Sequence, residues 1–138
     1  MSSAHFECDS SGSTLIAITN QPSDNFYAET LVKALGAKFG DGGTTAAGIR
    51  VVRAAMTELG ITATCRDGSG LARGDRTTPR ATLRLLAAMQ HDPETGQIFR
   101  ASLAAPGLAG STLAKRMRGT AAQGSCQAKT GTLKDVSA

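Results

Sequence analysis

Aromatic residues are scarce in this sequence. It contains no tryptophan, and aromatic residues make up only 4% of its 138 positions. The hydrophobic fraction of 41% therefore consists mainly of alanine, leucine and valine, which predicts a core built from small side chains. A chain of this length favours a single domain.

Cysteine is also rare and follows no functional pattern. Cys8, Cys65 and Cys126 show neither the spacing of a zinc or redox site nor the density of a disulfide scaffold. We therefore predict no metal and no cofactor, and interpret each cysteine as a small buried or free thiol. An oxidising compartment would still permit one disulfide.

The sequence also lacks long runs of like charge and long apolar runs. Fifteen basic and eleven acidic residues give a net charge of +4, and the arginines are scattered along the chain. No aromatic stacking platform accompanies this charge, which favours a solvated basic surface and predicts no nucleic-acid partner. We find no secretion signal and no run long enough to span a membrane, because the apolar run Leu15 to Ile18 is too short for either.

The chain divides into a short leader and one domain. Residues 1–14 are rich in serine and glycine, which predicts a disordered leader or a cloning remnant. Residues 15–138 are predicted to form a partial domain. Within it, the apolar run that ends at Asn20 is typical of either the end of a helix or a short strand.

Helix start and stop signals organise the domain. They predict a helix capped by Ser23 and stopped by Gly36, and a second one capped by Thr44 or Thr45 that ends near Gly60. Three further helices are predicted: one from Thr78-Pro79 with Leu83, Leu86 and Met89 facing inward, one over Pro93 to Ala104, and one over Ser111 to Arg118 with Leu113 and Met117 facing inward.

Two segments favour strands, Ile61 to Cys65 and Ser125 to Val136. The predicted class is therefore α+β and mostly α. The second strand has no neighbour further along the chain, so we expect it to pair with another copy in a homo-oligomer or to fold back on the first strand. Either arrangement would bring Cys65 and Cys126 within reach of a disulfide.

Two tripeptides carry chemical information as a pair. Ser23-Asp24-Asn25 and Lys129-Thr130-Gly131 are two of the three motifs of penicillin-recognising active-site serine enzymes. The third motif, Ser-x-x-Lys, supplies the nucleophile and is absent, because none of the five lysines has a serine three positions earlier. The sequence therefore predicts half of an active site.

Longer segments extend the likeness to a particular family. The chain resembles the D-alanyl-D-alanine carboxypeptidase/endopeptidase family, the class C low-molecular-mass penicillin-binding proteins, over the C-terminal part of the catalytic domain. The segments that carry this resemblance are Ser23 to Leu31, Asp67 to Arg73, Thr78-Pro79 and Ala128 to Leu133. The resemblance implies an incomplete penicillin-binding, β-lactamase-like transpeptidase fold, with a helical subdomain and a few strands of the antiparallel sheet. The Asp67 to Gly70 loop is expected near the cleft.

The resemblance also implies roles for individual residues. Ser23 would relay a proton between the acylating serine and Lys129. Asn25 would hydrogen-bond the penultimate amide of the substrate, and Lys129 would supply positive potential for the terminal carboxylate.

The remaining implied residues belong to the same strand. Thr130 and Thr132 would offer hydroxyl groups to the terminal carboxylate. Gly131 would let the strand approach the substrate closely, and the backbone N–H of Thr132 would form one arm of the oxyanion hole.

The implied function is that of a serine-type D-Ala-D-Ala carboxypeptidase that acts outside the cytoplasm on peptidoglycan stem peptides through an acyl-serine intermediate. The implied partners of the parent protein are the stem peptide, β-lactams and the missing N-terminal half. The chain alone is expected to be inactive. Two alternatives stay open: a non-catalytic peptidoglycan-binding or complementing module, and a small basic helical binding protein whose motif matches are accidental.

Overall fold

A computed structural model gives the fold of residues 10–134 and 136–137, with side chains described over residues 12–134. Helices dominate this part of the chain, and a short hairpin follows them. The elements are α1 (Ser10–Asn20), α2 (Asn25–Phe39), α3 (Thr45–Glu58), α4 (Pro79–His91), α5 (Gly96–Ser102), β1 (Thr132–Leu133) and β2 (Val136–Ser137). The predicted α+β class with mostly helical content is confirmed.

Helix α1 corrects the predicted leader. It begins at Ser10, so residues 10–14 are helical, whereas residues 1–9 lie outside the described residues. The apolar run before Asn20 is the end of this helix and not a strand. The Nδ2 of Asn20 donates to the Oγ of Ser102 over 2.9 Å, which attaches the end of α1 to α5.

Helices α2 and α3 form a closely packed hairpin that depends on glycine. A Cβ added at Gly48 would lie 1.9 Å from the carbonyl oxygen of Val32, and one at Gly36 would lie 2.6 Å from the backbone N of Gly48. The prediction that Gly36 stops α2 is wrong, because this residue lets α3 approach and the helix continues to Phe39.

The caps of three helices can be compared with their predicted positions. Thr44 and Thr78 cap α3 and α4 as predicted, each accepting a hydrogen bond from a backbone N–H in the first turn. The cap of α2 is Asp24, whose carboxylate accepts from the N–H of Tyr27 over 2.9 Å. Ser23 is therefore not the cap, because it lies one residue further out with a left-handed φ of 61°.

Helices α4 and α5 depart from their predicted packing and length. Leu83 of α4 is 67% exposed and Leu86 is also exposed, whereas the small Ala81 faces the core. The spacing of apolar residues identifies the apolar face of a helix, but it does not show whether another element covers that face. Helix α5 begins only at Gly96, because the Asp92 carboxylate accepts hydrogen bonds from the backbone N–H groups of two following residues and closes a turn there.

The segment between α5 and β1 is a series of turns, so the helix predicted over Ser111 to Arg118 is absent. Leu113 is buried as predicted, but Met117 is 40% exposed and has a left-handed φ of 53°. Glycines with positive φ, such as Gly110 and Gly119, interrupt the segment on both sides. These backbone conformations are incompatible with a continuous helix.

The C-terminal segment pairs differently from the prediction. Ala128 exchanges two backbone hydrogen bonds with Ala104, of 2.9 and 3.0 Å, and β1 then pairs with β2 in antiparallel register. Residues 61–65 form no strand and make one bridge, from Thr64 to Arg76. The predicted fold-back on residues 61–65 is therefore wrong. Cys65 and Cys126 are free thiols, and self-association stays a prediction.

Candidate active site

A cleft of about 450 Å³ separates the N-terminus of α2 from the segment that leads into β1. This volume falls in the range of small-ligand sites. The cleft brings together all six residues predicted to form the site. Its lining consists of Ser23, Asn25, Ser69, Gly70, Leu71, Thr112, Lys129, Thr130, Gly131, Thr132 and Leu133.

Ser23 and Lys129 join the two motifs directly. The Nζ of Lys129 donates a hydrogen bond to the Oγ of Ser23 over 2.6 Å and another to the carbonyl oxygen of Thr130 over 2.8 Å. A distance of 2.6 Å is short for a bond from an ammonium group to a neutral hydroxyl. The contact links residues 106 positions apart in the sequence, so the fold and not local structure creates it.

The backbone around Ser23 is held in an uncommon conformation. Its φ of 61° lies in the left-handed region, which costs a non-glycine residue on the order of 1 kcal/mol or more. The N–H of Asp24 donates to the carbonyl oxygen of Thr19 over 2.9 Å. This bond and the Asp24 cap hold the connection between α1 and α2, and thereby the Ser23 hydroxyl, in place.

Lys129 is partly removed from solvent at its ammonium group, although much of the side chain is exposed. This desolvation lowers the pKa of Lys129 from its ordinary value of 10.5. The free-energy cost of deprotonating Lys129 is therefore lower than that of deprotonating free lysine. A lysine with a lowered pKa donates a proton to a bonded hydroxyl group more easily than free lysine does.

Thr112 is a cleft residue that the sequence analysis missed. The Oγ1 of Thr130 donates to the Oγ1 of Thr112 over 2.8 Å, and the N–H of Thr112 donates to the carbonyl oxygen of Gln21 over 2.9 Å. Thr112 therefore connects the Lys-Thr-Gly segment to the chain just before Ser23. No local signal marks it, because it lies in a segment whose turns were predicted as helix.

Asn25 and Thr132 present polar groups that other described residues do not use. Asn25 is the first residue of α2 and Thr132 the first of β1, and both are exposed. Neither side chain makes a hydrogen bond within residues 12–134. Their amide and hydroxyl groups are therefore available to a molecule in the cleft.

The loop after residue 66 completes one wall. The Asp67 carboxylate accepts hydrogen bonds from the Ser69 hydroxyl over 2.6 Å, from the Gly70 N–H over 3.0 Å and from the Ala72 N–H over 3.1 Å. These bonds fold the loop so that residues 69–71 line the cleft, as predicted for this segment.

Asp67 and Asp75 form a carboxyl pair at the base of the loop. Burial favours the neutral form of Asp67, but hydrogen bonds, first from Ser69, outweigh burial and lower its pKa. Burial and the charge of Asp67 together raise the pKa of Asp75, against the hydrogen bond from the Arg66 N–H. Asp67 is therefore the stronger acid of the two and loses its proton before Asp75 as the pH rises.

A serine paired with a lysine across a cleft that also presents an amide and several hydroxyl groups is typical of serine-type peptidases. Comparison with known proteins gives the family. The model of the D-Ala-D-Ala carboxypeptidase 3 (S13) family matches residues 12–138, and the chain belongs to this family. The predicted resemblance is confirmed, and the alternative of accidental motif matches is wrong.

A curated relative supports the same assignment. The chain is 42% identical over 123 residues to a D-alanyl-D-alanine carboxypeptidase of Actinomadura sp. (strain R39), with 84% of this chain covered. The matched region is 23% of that relative, so the chain spans about a quarter of its length.

Two further findings concern the described residues as a whole. None of their helices has the length and apolar character needed to cross a bilayer. The same residues contain no group of three or more histidine, cysteine, aspartate or glutamate side chains arranged to hold a metal ion.

Proposed function

We propose that this chain forms the Ser-Asp-Asn and Lys-Thr-Gly side of the active site of a serine-type D-Ala-D-Ala carboxypeptidase. The contact of 2.6 Å between Lys129 and Ser23 carries the proposal, because it assembles two distant motifs at one cleft. Family membership supports it. The substrate is the stem peptide of peptidoglycan, so the complete enzyme acts outside the cytoplasm.

The Lys-Thr-Gly segment binds the terminal carboxylate of the peptide. Lys129 supplies a positive charge, and Thr132 supplies a free hydroxyl group. The hydroxyl group of Thr130 uses its proton in the bond to Thr112. The hydroxyl proton of Thr112 therefore remains for the ligand. Asn25, across the cleft, hydrogen-bonds the peptide backbone and fixes the orientation of the scissile bond.

Ser23 and Lys129 move the proton. A serine from a Ser-x-x-Lys motif outside this sequence attacks the peptide carbonyl, a C–O bond forms, and the C–N bond to the terminal D-alanine breaks. Ser23 passes a proton from Lys129 to the departing amine, and Lys129 is reprotonated from the attacking hydroxyl. The lowered pKa of Lys129 favours this exchange. Because the chain contains no Ser-x-x-Lys motif, it is inactive alone, and β-lactams acylate only the complete enzyme.

Mass spectrometry and NMR test this function. The intact mass of the chain should not change after incubation with excess benzylpenicillin, and a stoichiometric penicilloyl adduct would overturn the assignment of the nucleophile. Titration with N-acetyl-D-alanyl-D-alanine should shift the amide resonances of Asn25, Thr130 and Thr132. Absence of these shifts at millimolar peptide would contradict the carboxylate site.

A matched pair of variants separates specific recognition from general charge attraction. Lys129→Met should abolish the shifts, because it removes the cation that faces the carboxylate. Arg80→Met removes one positive charge from the exposed first turn of α4, away from the cleft-lining residues. It should leave the titration unchanged, and an equal loss in both variants would show that net charge alone attracts the peptide.

A second candidate function is a non-catalytic binding or complementing module. The observation that favours it is the gathering of carboxylate-binding groups in a chain without a nucleophile motif. Mixing this chain with a separately produced S13 segment that carries Ser-x-x-Lys tests complementation. Release of D-alanine by the mixture, and by neither part alone, would establish it. Peptide binding without any release would favour a binding module.

A further inference from the structure

Glu29 is a partly buried carboxylate behind the cleft that the proposed reaction does not use. It lies in α2, four residues after the cleft residue Asn25, and its side chain is 21% exposed. One oxygen, Oε2, accepts a hydrogen bond from the N–H of Gly68 over 2.8 Å. The other, Oε1, accepts a hydrogen bond from the hydroxyl of Thr45 at the start of α3.

The Gly68 contact requires an unusually close approach of the loop to α2. A Cβ added at Gly68 would lie 2.4 Å from the Cγ2 of Val32 and 2.9 Å from the carbonyl oxygen of Ala28. Only glycine lets the loop backbone come this near to the helix. The same approach puts the N–H of residue 68 within reach of Glu29.

The residues that follow Gly68 form a wall of the cleft. Ser69, Gly70 and Leu71 line it directly, and the bonds to Asp67 fix their conformation relative to one another. Those bonds are internal to the loop and do not fix its distance from α2. The bond from Gly68 to Glu29 makes that connection.

We propose that Glu29 is a positioning residue of the cleft, whose carboxylate holds the wall of residues 69–71 against α2 and thereby sets its distance from the Lys129–Thr132 segment. The part that concerns the peptide rests on the proposed function. The part that concerns the wall does not. Glu29 touches neither the peptide nor the reacting atoms and acts through Gly68.

The charge of Glu29 matters to this connection. The hydrogen bond from Thr45, the bond from Gly68 and the charge of Lys33 lower the pKa of Glu29, against burial and the charge of Asp67. Lys33 and Asp67 are the charged groups that face it from α2 and from the loop, with the Nζ of Lys33 4.0 Å from Oε1. Both accepted bonds weaken when the carboxylate is protonated.

Amide hydrogen exchange in Glu29 variants tests the hold on the wall. Glu29→Ala should accelerate exchange of the Gly68 amide by about tenfold or more, the effect of losing a hydrogen bond to a charged acceptor. It should weaken binding of N-acetyl-D-alanyl-D-alanine by a similar factor. Glu29→Gln should restore only part of both, because its carbonyl oxygen can accept from Gly68 while its amide donates to Thr45, but it lacks the charge that strengthens the accepted bonds. Glu58→Ala, which removes an exposed acid at the end of α3, is the charge-matched control and should change neither.

The pH dependence of the Gly68 resonance gives a readout that survives if Glu29→Ala does not fold. The folded pKa of Glu29 is below 4.5, so the bond has its full strength at neutral pH and weakens as the pH falls through the lowered pKa. The Gly68 amide should therefore shift below pH 4.5 in the unsubstituted protein. Glu29→Gln removes this shift and leaves any contribution from Asp67.

The outcomes separate the two proposals. An unchanged Gly68 exchange rate in Glu29→Ala, or an identical pH profile in Glu29→Gln, would overturn the role of Glu29. If the unsubstituted protein fails to bind the peptide, the proposed function fails, while the exchange rates of Gly68 to Leu71 still decide whether Glu29 holds the wall.

Discussion

Besides the wall of residues 69–71, two regions border the cleft, a helical wall and an irregular wall, and they are stabilised in different ways. On one side, α2 and α3 contact each other backbone to backbone, with Gly48 against the carbonyl group of Val32. On the other side, the segment from Leu103 to Lys134 has almost no regular structure apart from the two-residue strand β1. Each wall nevertheless contributes one half of the Ser23–Lys129 contact.

The irregular wall replaces a hydrogen-bonded ladder with a few buried anchors. Leu103, Ala104 and Leu113 are among its most buried residues, and Ala128 attaches to Ala104 immediately before Lys129. In the helical wall, the buried residues of α3 are Ala47, Gly48 and Ile49, two of which are small. The stability of the helical wall is therefore most sensitive to atoms added between its two backbones. The stability of the irregular wall is most sensitive to the loss of buried side-chain volume. Substitutions should therefore affect the two walls in opposite ways.

The largest effect is expected from adding one methyl group to the helical wall. Gly48→Ala places a Cβ 1.9 Å from a backbone carbonyl oxygen, so α2 and α3 must separate. We expect a loss of about 3 kcal/mol or more in the free energy of unfolding, measured with urea. Gly43→Ala is the control, because the nearest atom to its new Cβ is 3.7 Å away. A loss below about 1 kcal/mol for Gly48→Ala would mean that the helices yield easily.

Removing buried side-chain volume from the irregular wall should have the next largest effect. Leu113 is 2% exposed, and Leu113→Ala should lower the free energy of unfolding by about 2–4 kcal/mol. Leu108→Ala in the same segment removes an exposed side chain and should change stability by less than about 1 kcal/mol. Equal effects of the two variants in urea unfolding would show that Leu113 does not anchor this wall.

The helix cap at the junction of the walls should have a smaller effect. Asp24→Ala removes the carboxylate that accepts from the Tyr27 N–H, and we expect a loss of about 1 kcal/mol. Ser23→Ala leaves this cap intact and should lower the free energy of unfolding by less than half of that amount. Thermal unfolding of both variants measures the two losses. The reverse order would restore Ser23 as the cap.

The smallest effect concerns proton binding by Lys129. Its pKa is lowered by desolvation in the folded state, so between the lowered value and 10.5 the unfolded chain binds more protons at this residue. Stability should therefore rise slightly with pH in that window. The Lys129 side-chain resonance should titrate at lower pH in the folded protein than in urea. Coincident titrations would show that the ammonium group is fully solvated.

Features that depend on contacts between residues close in sequence could be predicted. Features that depend on contacts between distant residues could not. The caps Thr44 and Thr78 were predictable because a cap bonds within three residues of itself. The segments that line the cleft were predictable because two short motifs mark them. Thr112 was not, because its contacts reach Gln21 and Thr130, and only the fold brings these residues together.

Two errors share a physical cause. Gly36 was predicted to stop a helix, since local rules assign glycine to helix ends, but close packing against α3 explains it better. Leu83 was predicted to be buried from its periodicity, but among the described residues no element covers it. In both cases the decisive information was the neighbouring element, which a local pattern does not contain.

The left-handed φ of Ser23 also selects the amino acid that can stand there. Threonine offers the same hydroxyl group as serine, but a β-branched side chain is strongly disfavoured at positive φ. The cleft threonines Thr112, Thr130 and Thr132 all have negative φ, where β-branching carries no such penalty. An exchange of serine for threonine, conservative in its chemistry, is therefore a conformational change at position 23.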